Sequence, residues 1–189
     1  MLTGIVGKAG AGKDSIGDHL IEKYSFQKMS FAAPLKELVR DLFAMEPAQL
    51  YTEQKEDIDK RYGMSPRWLL QYLGTDVFRN LYPNIWCDYL VRKYKTLCWL
   101  AEDTRAEMPR VAVTDVRFLN EANAIREGDG QVWRVICLNN PKATTLGGDH
   151  GHASEVEQDQ IVVDHTFEAE YGDLPGLFIQ VDEKMKELL

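Results

Sequence analysis

Cysteine, positive charge and long apolar runs are all scarce in this 189-residue chain. The three cysteines, Cys87, Cys98 and Cys137, show neither a CxxC pair nor zinc-ligand spacing. A disulfide framework is therefore not expected, and free thiols fit a reducing compartment, by default the cytoplasm. Lys and Arg number 22 against 30 Asp and Glu, a net charge of −8. That balance argues against non-specific nucleic-acid binding, which needs a broad basic surface, so any anion site must be local. No stretch approaches the roughly 20 apolar residues of a membrane span. The first residues read as a strand, not as a signal peptide. Internal repeats and low-complexity tracts are also missing. An apolar content of 44% is ordinary for one well-buried globular domain.

The most informative segment is Gly7-Lys8-Ala9-Gly10-Ala11-Gly12-Lys13, which fits the phosphate-loop pattern G-x-x-x-x-G-K. It follows an apolar run, Leu2 to Val6, and precedes Asp14 to Ile21, where Ile16, Leu20 and Ile21 mark a helical face. Strand, glycine loop and helix are the context the motif requires. Glycines let several backbone N–H groups point at one anion, and the helix N-terminus adds partial positive charge. Lys13 is then placed over the β- and γ-phosphates of a nucleoside triphosphate. The alternative, a turn that merely joins strand to helix, does not explain the lysine. One position departs from the pattern. The residue after the lysine normally carries a hydroxyl for Mg²⁺, but here it is Asp14, with Ser15 one place later. Successive helical residues point about 100° apart, so Ser15 is no simple replacement. Asp14 either helps hold the hydrated metal or touches the acceptor of the phosphoryl group.

Further strands are expected over Gln27–Phe31, Arg110–Thr114, Gln131–Leu138 and Ile161–Asp164. Helical patterns cover Ala33–Phe43, Pro66–Leu81, Ile85–Leu97, Asn120–Gly128 and Leu174–Leu188. The alternation predicts an α/β fold with a parallel sheet in a three-layer sandwich, since the chain is too short for a (β/α)₈ barrel. A helical insertion over about residues 44–100 is expected within this single domain. Gln54–Arg61 within it reads as a solvated arm, and Asn139–Gly151 is the clearest loop.

Open α/β sheets bind ligands outside the carboxyl ends of their strands, which draws attention to Asp115 and Arg117 after the Val111–Val113 run. Asp115 can hold Mg²⁺ through water or accept a proton, or it can simply cap the following helix. Arg117 suits a phosphate. Glu121 can reach the same cleft, although an exposed helical Glu is the commoner case. In the segment from Ser65 to Asp76, Ser65 and Pro66 form an N-cap and first turn. Leu69, Leu73 and Val77 define a buried side, while Arg67, Gln71 and Gly74 share another. A mid-helix glycine costs about 1 kcal/mol, so close approach of a ligand or of another backbone is expected at Gly74. A surface stripe beside a tight helix crossing is the competing explanation. Lys36 opens a helix behind Pro34 and can meet an acceptor phosphate. Arg79 is a further candidate, and Trp86 is either a stacking surface or a core residue. His150-Gly151-His152 has no further metal ligand at suitable spacing and reads as loop.

Taken together, these segments resemble the bacteriophage deoxynucleoside monophosphate kinases, a branch of the P-loop kinases. The resemblance rests on Gly7–Ser15 with its Gly-Lys-Asp-Ser ending, Pro34-Leu35-Lys36, Arg67 with Gln71-Tyr72-Leu73-Gly74-Thr75-Asp76, and Trp86. It continues through Asp115-Val116-Arg117 with Glu121, and His152-Ala153-Ser154-Glu155. It implies a five-stranded parallel sheet with a helical acceptor-binding region, and transfer from ATP to a deoxynucleoside monophosphate with Mg²⁺. By that resemblance Gly7, Gly10, Ala11, Gly12, Lys13, Asp14 and Ser15 line the donor, with Asp14 and Ser15 nearest the metal. Lys8, Lys36, Arg67, Gln71, Gly74, Thr75, Trp86, Asp115, Arg117 and Glu121 form the acceptor site. Lys13, Asp14, Arg67, Asp115 and Arg117 are the catalytic set, and the insertion is expected to close over the acceptor. Small-molecule nucleotides are then the partners, and self-association into a homodimer is left open. Two other classes share a phosphate loop. One is a small-molecule kinase of the dephospho-coenzyme A kinase type, against which the Arg67–Asp76 segment weighs; the other is a non-catalytic nucleotide-binding regulator.

Overall fold

The structure, a computed structural model, describes residues 1–140 and 153–189, with the backbone alone at 153–156. Its strands are β1 (Leu2–Val6), β2 (Gln27–Met29), β3 (Val111–Val116), β4 (Gln131–Leu138) and β5 (His165–Glu170). Its helices are α1 (Lys13–Tyr24), α2 (Ala33–Phe43), α3 (Pro47–Tyr51), α4 (Pro66–Gln71), α5 (Ile85–Thr104), α6 (Leu119–Glu127), α7 (Ala153–Gln160) and α8 (Leu174–Leu188). Contacts divide the chain into two compact units, residues 1–30 with 90–189, and residues 31–89.

The first unit contains the sheet, in the order β2-β3-β1-β4-β5 with every pairing parallel. All five residues of β1 are buried, as a central parallel strand demands. Alternation along β1 sends Ile5 to one face and Leu2 and Gly4 to the other. Ile5 packs in a cluster with Ile16 and Leu20 of α1, Trp133 and Val135 of β4, Phe167 of β5, and Leu177, Val181 and Met185 of α8. On the opposite face Gly4 lies against Ile125 of α6, so close that an added Cβ would come within 3.0 Å of it. Helices thus cover both faces, and the expected three-layer α/β/α arrangement is present.

The last strand is displaced from its expected place. Ile161-Val162-Val163 is not a strand; Ile161 is buried, but Val162 is 78% exposed. The Arg134 guanidinium takes the carbonyls of Gln158 and Ile161, and Asp164 exchanges two hydrogen bonds with the Val132 backbone. The β-branched run is therefore the connection into β5, whose alternating, half-exposed pattern suits an edge strand. β3 also runs on through Asp115, which lies inside the strand, not after it. The loop read over Asn139–Gly151 lies mostly outside the described residues, as do His150 and His152.

In the second unit, α4 starts where Ser65 and Pro66 predict, with Ser65 Oγ accepting the Trp68 N–H at 3.2 Å. The helix then widens into a π-helical stretch, Tyr72–Arg79. The wider turn breaks the four-residue repeat: Leu69 is buried, Leu73 half-buried and Val77 36% exposed. The expected buried stripe therefore stops short of Val77. Gln54–Arg61 is mostly exposed, as a solvated arm would be, but it is tied down at Asp59. Glu53–Glu56 forms a 3₁₀ turn, and Asp59 is buried, accepting from Arg61 and Gln49. The Arg61 side chain, followed by its backbone N–H and by Gln49, holds the Asp59 carboxyl well below its ordinary range.

Candidate active site

The phosphate loop leaves β1 close to β4, because a Cβ on Gly7 would meet the Val135 carbonyl oxygen at 2.6 Å. Gly10 and Gly12 take φ of 74° and 100°, the left-handed region where side chains are strained. Gly12 caps α1 without a side chain, so the first helical N–H groups face outward, as an anion site requires. Lys13 Nζ folds over the loop and donates to the carbonyls of Gly7 and Lys8 at 2.6 and 2.9 Å. Asn140 Nδ2 ties the Ala9 carbonyl at 3.0 Å. Ala11 is buried and Ser15 half-buried, while Lys8 is exposed, 3.7 Å from Asp159.

Asp14 is exposed at the head of α1, yet its carboxylate is tied down. Its Oδ1 accepts from Thr114 Oγ1 at 2.9 Å and lies 2.9 Å from Lys28 Nζ. Partial burial alone would raise its pKa, but the hydrogen bonds from Lys28 and Thr114 outweigh it and lower the value. Burial opposes the charge on Lys28, but the carboxylates of Asp14 and Asp18 prevail and draw its ammonium upward. Asp115 accepts from Ser30 Oγ at 2.7 Å. Between Gly4 and Val6 the register with β3 shifts, so that two steps of β1 match three of β3, from Val113 to Val116. That bulge re-aims Thr114 and Asp115, as bulges beside ligand sites commonly do. Arg117 is exposed. Glu121, read either as a cleft residue or as an exposed helical Glu, is 2% exposed: its carboxylate turns back to accept the backbone N–H groups of Arg117 and Phe118 at 2.7 and 3.1 Å.

The second unit presents the remaining candidates. Lys36 Nζ sits 4.1 Å from the centre of the Tyr51 ring, a cation–π contact. Arg67 Nε donates to Glu56 at 2.5 Å with both side chains about half exposed, and Gln71 is exposed beside it. Gly74 is buried, with its missing Cβ position 2.7 Å from Leu35 Cδ2 and its carbonyl accepting Trp86 Nε1–H at 3.1 Å. The glycine is thus explained by packing against α2 and the indole. Trp86 itself is 8% exposed and meets Phe78 edge to face. Thr75 is half-buried.

Within the first unit the structure gathers the loop, Lys13, Asp14 and two side chains that the motif reading missed, Thr114 and Lys28. Their one sequence signal is the pair Asp14 and Asp18, four residues apart on α1, which calls for a nearby cation; Lys28 lies 3.3 Å from Asp18. The side chains of His152–Glu155 lie outside the described residues.

A crystal structure of a shikimate kinase from Bacteroides thetaiotaomicron superposes with a TM-score of 0.51 over 97% of each chain, at 13% identity. A Thermus thermophilus protein matches with a TM-score of 0.52 over 100% of this chain and 98% of its own, at 18% identity. This architecture, with its glycine loop between β1 and α1, is the P-loop kinase fold. No protein-family model matches the chain. An Acanthamoeba polyphaga mimivirus protein, named provisionally as a deoxynucleotide monophosphate kinase, is 36% identical over 166 residues, covering 83% of this chain and 81% of its own. The deoxynucleoside-5′-monophosphate kinase of Escherichia phage T5 is 39% identical over 117 residues, which span 59% of this chain and 43% of the phage protein. The chain belongs to the deoxynucleoside monophosphate kinase family.

Proposed function

We propose that this protein transfers the γ-phosphoryl group of ATP to the 5′-phosphate of a deoxynucleoside monophosphate, releasing ADP and the diphosphate. The observation that carries the reading is the glycine loop closed by Lys13 at the head of α1, in a chain related to kinases of that name. Among the described residues no group of three or more His, Cys, Asp and Glu side chains could hold a metal ion. That suits Mg²⁺ in kinases, which is held by one or two protein oxygens and completed by phosphates and water. The Asp14 carboxylate, with Ser15 next to it, fits that sparse donor set. Bound there, Mg²⁺ supplies charge neutralisation on the phosphates.

The residues then divide by unit. In the first, the loop N–H groups from Gly7 to Gly12 bind the donor phosphates, and Lys13 swings from the Gly7 and Lys8 carbonyls onto them. Lys8 and Arg117 add positive charge, and Asp115 orients the attacking phosphate oxygen or its water. Glu121 acts through the Arg117 backbone it fixes. In the second unit, Lys36, Arg67, Gln71 and Thr75 take the acceptor, with Gly74 and Trp86 shaping the helix that carries them. A bond forms from an acceptor phosphate oxygen to the γ-phosphorus as the bond to the ADP oxygen breaks, without a covalent enzyme intermediate. Catalysis is positioning and charge stabilisation. No helix among the described residues is long and apolar enough to cross a membrane, and the reading places the enzyme with small nucleotides in the cytoplasm. A coupled assay of ADP release, run with each deoxynucleoside and ribonucleoside monophosphate in turn, tests it. ADP release with at least one deoxynucleotide is expected; ATP binding with no release for any acceptor would overturn it.

A further inference from the structure

We propose that a carboxylate and a hydroxyl have exchanged places in the donor site: Asp14 of α1 stands where the hydroxyl usually is, and Thr114 of β3 stands in for the strand carboxylate. The inference rests on the donor-site reading above and adds Thr114 as a positioning residue. In phosphate-loop enzymes the metal is flanked by a Ser or Thr after the loop lysine and by an acidic residue from a neighbouring strand. Here the helix supplies the acid and the strand supplies the hydroxyl. The two still meet, with Thr114 Oγ1 donating to Asp14 Oδ1 at 2.9 Å.

Three further features fit an arrangement built around this contact. Thr114 lies in the register break of β3, where three residue steps oppose two of β1, so the backbone is bent at the point where its side chain must reach α1. Gly17, one turn after Asp14, makes room for it: a Cβ there would stand 2.5 Å from Thr114 Cγ2. A glycine inside a helix is unfavourable without such a reason. Lys28 approaches the same oxygen, Oδ1, at 2.9 Å, and also lies 3.3 Å from Asp18. Both donors thus hold one oxygen of Asp14, while Oδ2 takes no hydrogen bond among the described residues. The clamp fixes the carboxylate and leaves its second oxygen to face the cation. The acid next along β3, Asp115, is engaged with Ser30 at 2.7 Å.

The test uses the full chain and Mn²⁺ as a spectroscopic probe. Mn²⁺ affinity in the presence of ATP is measured by electron paramagnetic resonance, and ATP affinity in EDTA is measured separately. Removing a group that orients a metal ligand lowers affinity about 10- to 100-fold, so Thr114→Val should bind Mn²⁺ about tenfold more weakly, with metal-free ATP binding unchanged. Thr114→Ser, which keeps the hydroxyl, should restore the wild-type value. The decisive variant is the reciprocal exchange, Asp14→Thr with Thr114→Asp, expected to bind Mn²⁺ more tightly than either single change. If Asp14→Asn binds Mn²⁺ like the wild type, the donor-site reading fails. If Asp14→Asn is impaired while Thr114→Val is not, or the double exchange is no better than its parts, the exchange is refuted and the donor-site reading stands. Should Thr114→Val not fold, Thr114→Ser and the reciprocal exchange decide the matter.

Discussion

The candidate site residues of the two units are held differently. In the first unit nearly every candidate side chain is already bonded to its own framework: Lys13 to loop carbonyls, Asp14 to Thr114, Asp115 to Ser30, Glu121 to two backbone amides. They stand on strands and helix ends packed around a large apolar core. In the second unit Arg67 pairs with the exposed Glu56, and Lys36 lies against the face of Tyr51. Large apolar side chains there, including Leu42, Ile58, Trp68 and Leu81, remain open to solvent. Preorganised charge accelerates phosphoryl transfer because it costs no reorganisation at the moment of reaction. A cation on a long side chain at the surface, as at Arg67, serves a different end, in that it can rearrange around an incoming substrate. The difference fits the proposal that chemistry lies with the first unit and recognition with the second.

Lys13→Ala should have the largest effect on turnover. Loss of a single charge-stabilising donor costs about 100- to 1,000-fold in kcat. Its hydrogen bonds to the Gly7 and Lys8 carbonyls lie within the loop and not in the core, so circular dichroism and the thermal midpoint should barely move. Retained turnover would remove Lys13 from the donor site. Arg67→Ala should come next and act on recognition: KM for the monophosphate rising about 10- to 100-fold, as for a lost charge-assisted hydrogen bond, with KM for ATP unchanged. The exposed pair with Glu56 is worth under about 1 kcal/mol, so stability should hold. A defect confined to ATP would contradict the division between the units.

Glu121→Ala sharpens the contrast from the stability side. It strips two partly buried N–H groups of their acceptor, at a cost of about 1–3 kcal/mol in denaturant unfolding. Glu121→Gln keeps an acceptor oxygen and should recover most of the loss. If both variants were as stable as the wild type, the cap would not be what fixes Arg117.

Much of the first unit was legible because its physics is local and periodic. Buried parallel strands such as Val111-Ala112-Val113 must be continuously apolar, and the loop must carry glycines where φ is positive. β2, α2, β4 and α8 begin where pattern and turn residues place them. The edge strand was misplaced because Ile161-Val162-Val163 has high strand propensity, whereas His165–Glu170 alternates weakly; pairing with Arg134 and Val132 decided the issue. The π-helical turn after Gln71 was hidden because no residue type announces it, and it moved Val77 off the buried side. Thr114 and Lys28 were invisible for another reason. Each is an ordinary residue until a bulge and a strand crossing bring it to Asp14, 100 and 14 positions away in sequence.

The smallest expected effect concerns the back of α1. Asp182 of α8 accepts from His19 Nε2 at 2.7 Å, Lys23 Nζ at 2.6 Å and Tyr24 at 2.8 Å, tying the loop-bearing helix to the rest of its unit. Burial opposes ionisation of Asp182, but the hydrogen bonds from Lys23, His19 and Tyr24 prevail and hold its pKa well below 3.8. A carboxyl lowered in the folded state binds its proton more weakly than in the unfolded chain. Its contribution is therefore complete above 3.8 and is lost as pH falls from there toward the folded value. Asp182→Asn should cost about 1 kcal/mol at neutral pH, and the gap from the wild type should close in acid. Urea denaturation of both proteins at neutral pH and well below 3.8 measures it. A gap of constant size would show that packing of the stacked His19 and Phe178 rings, not charge, joins α1 to α8.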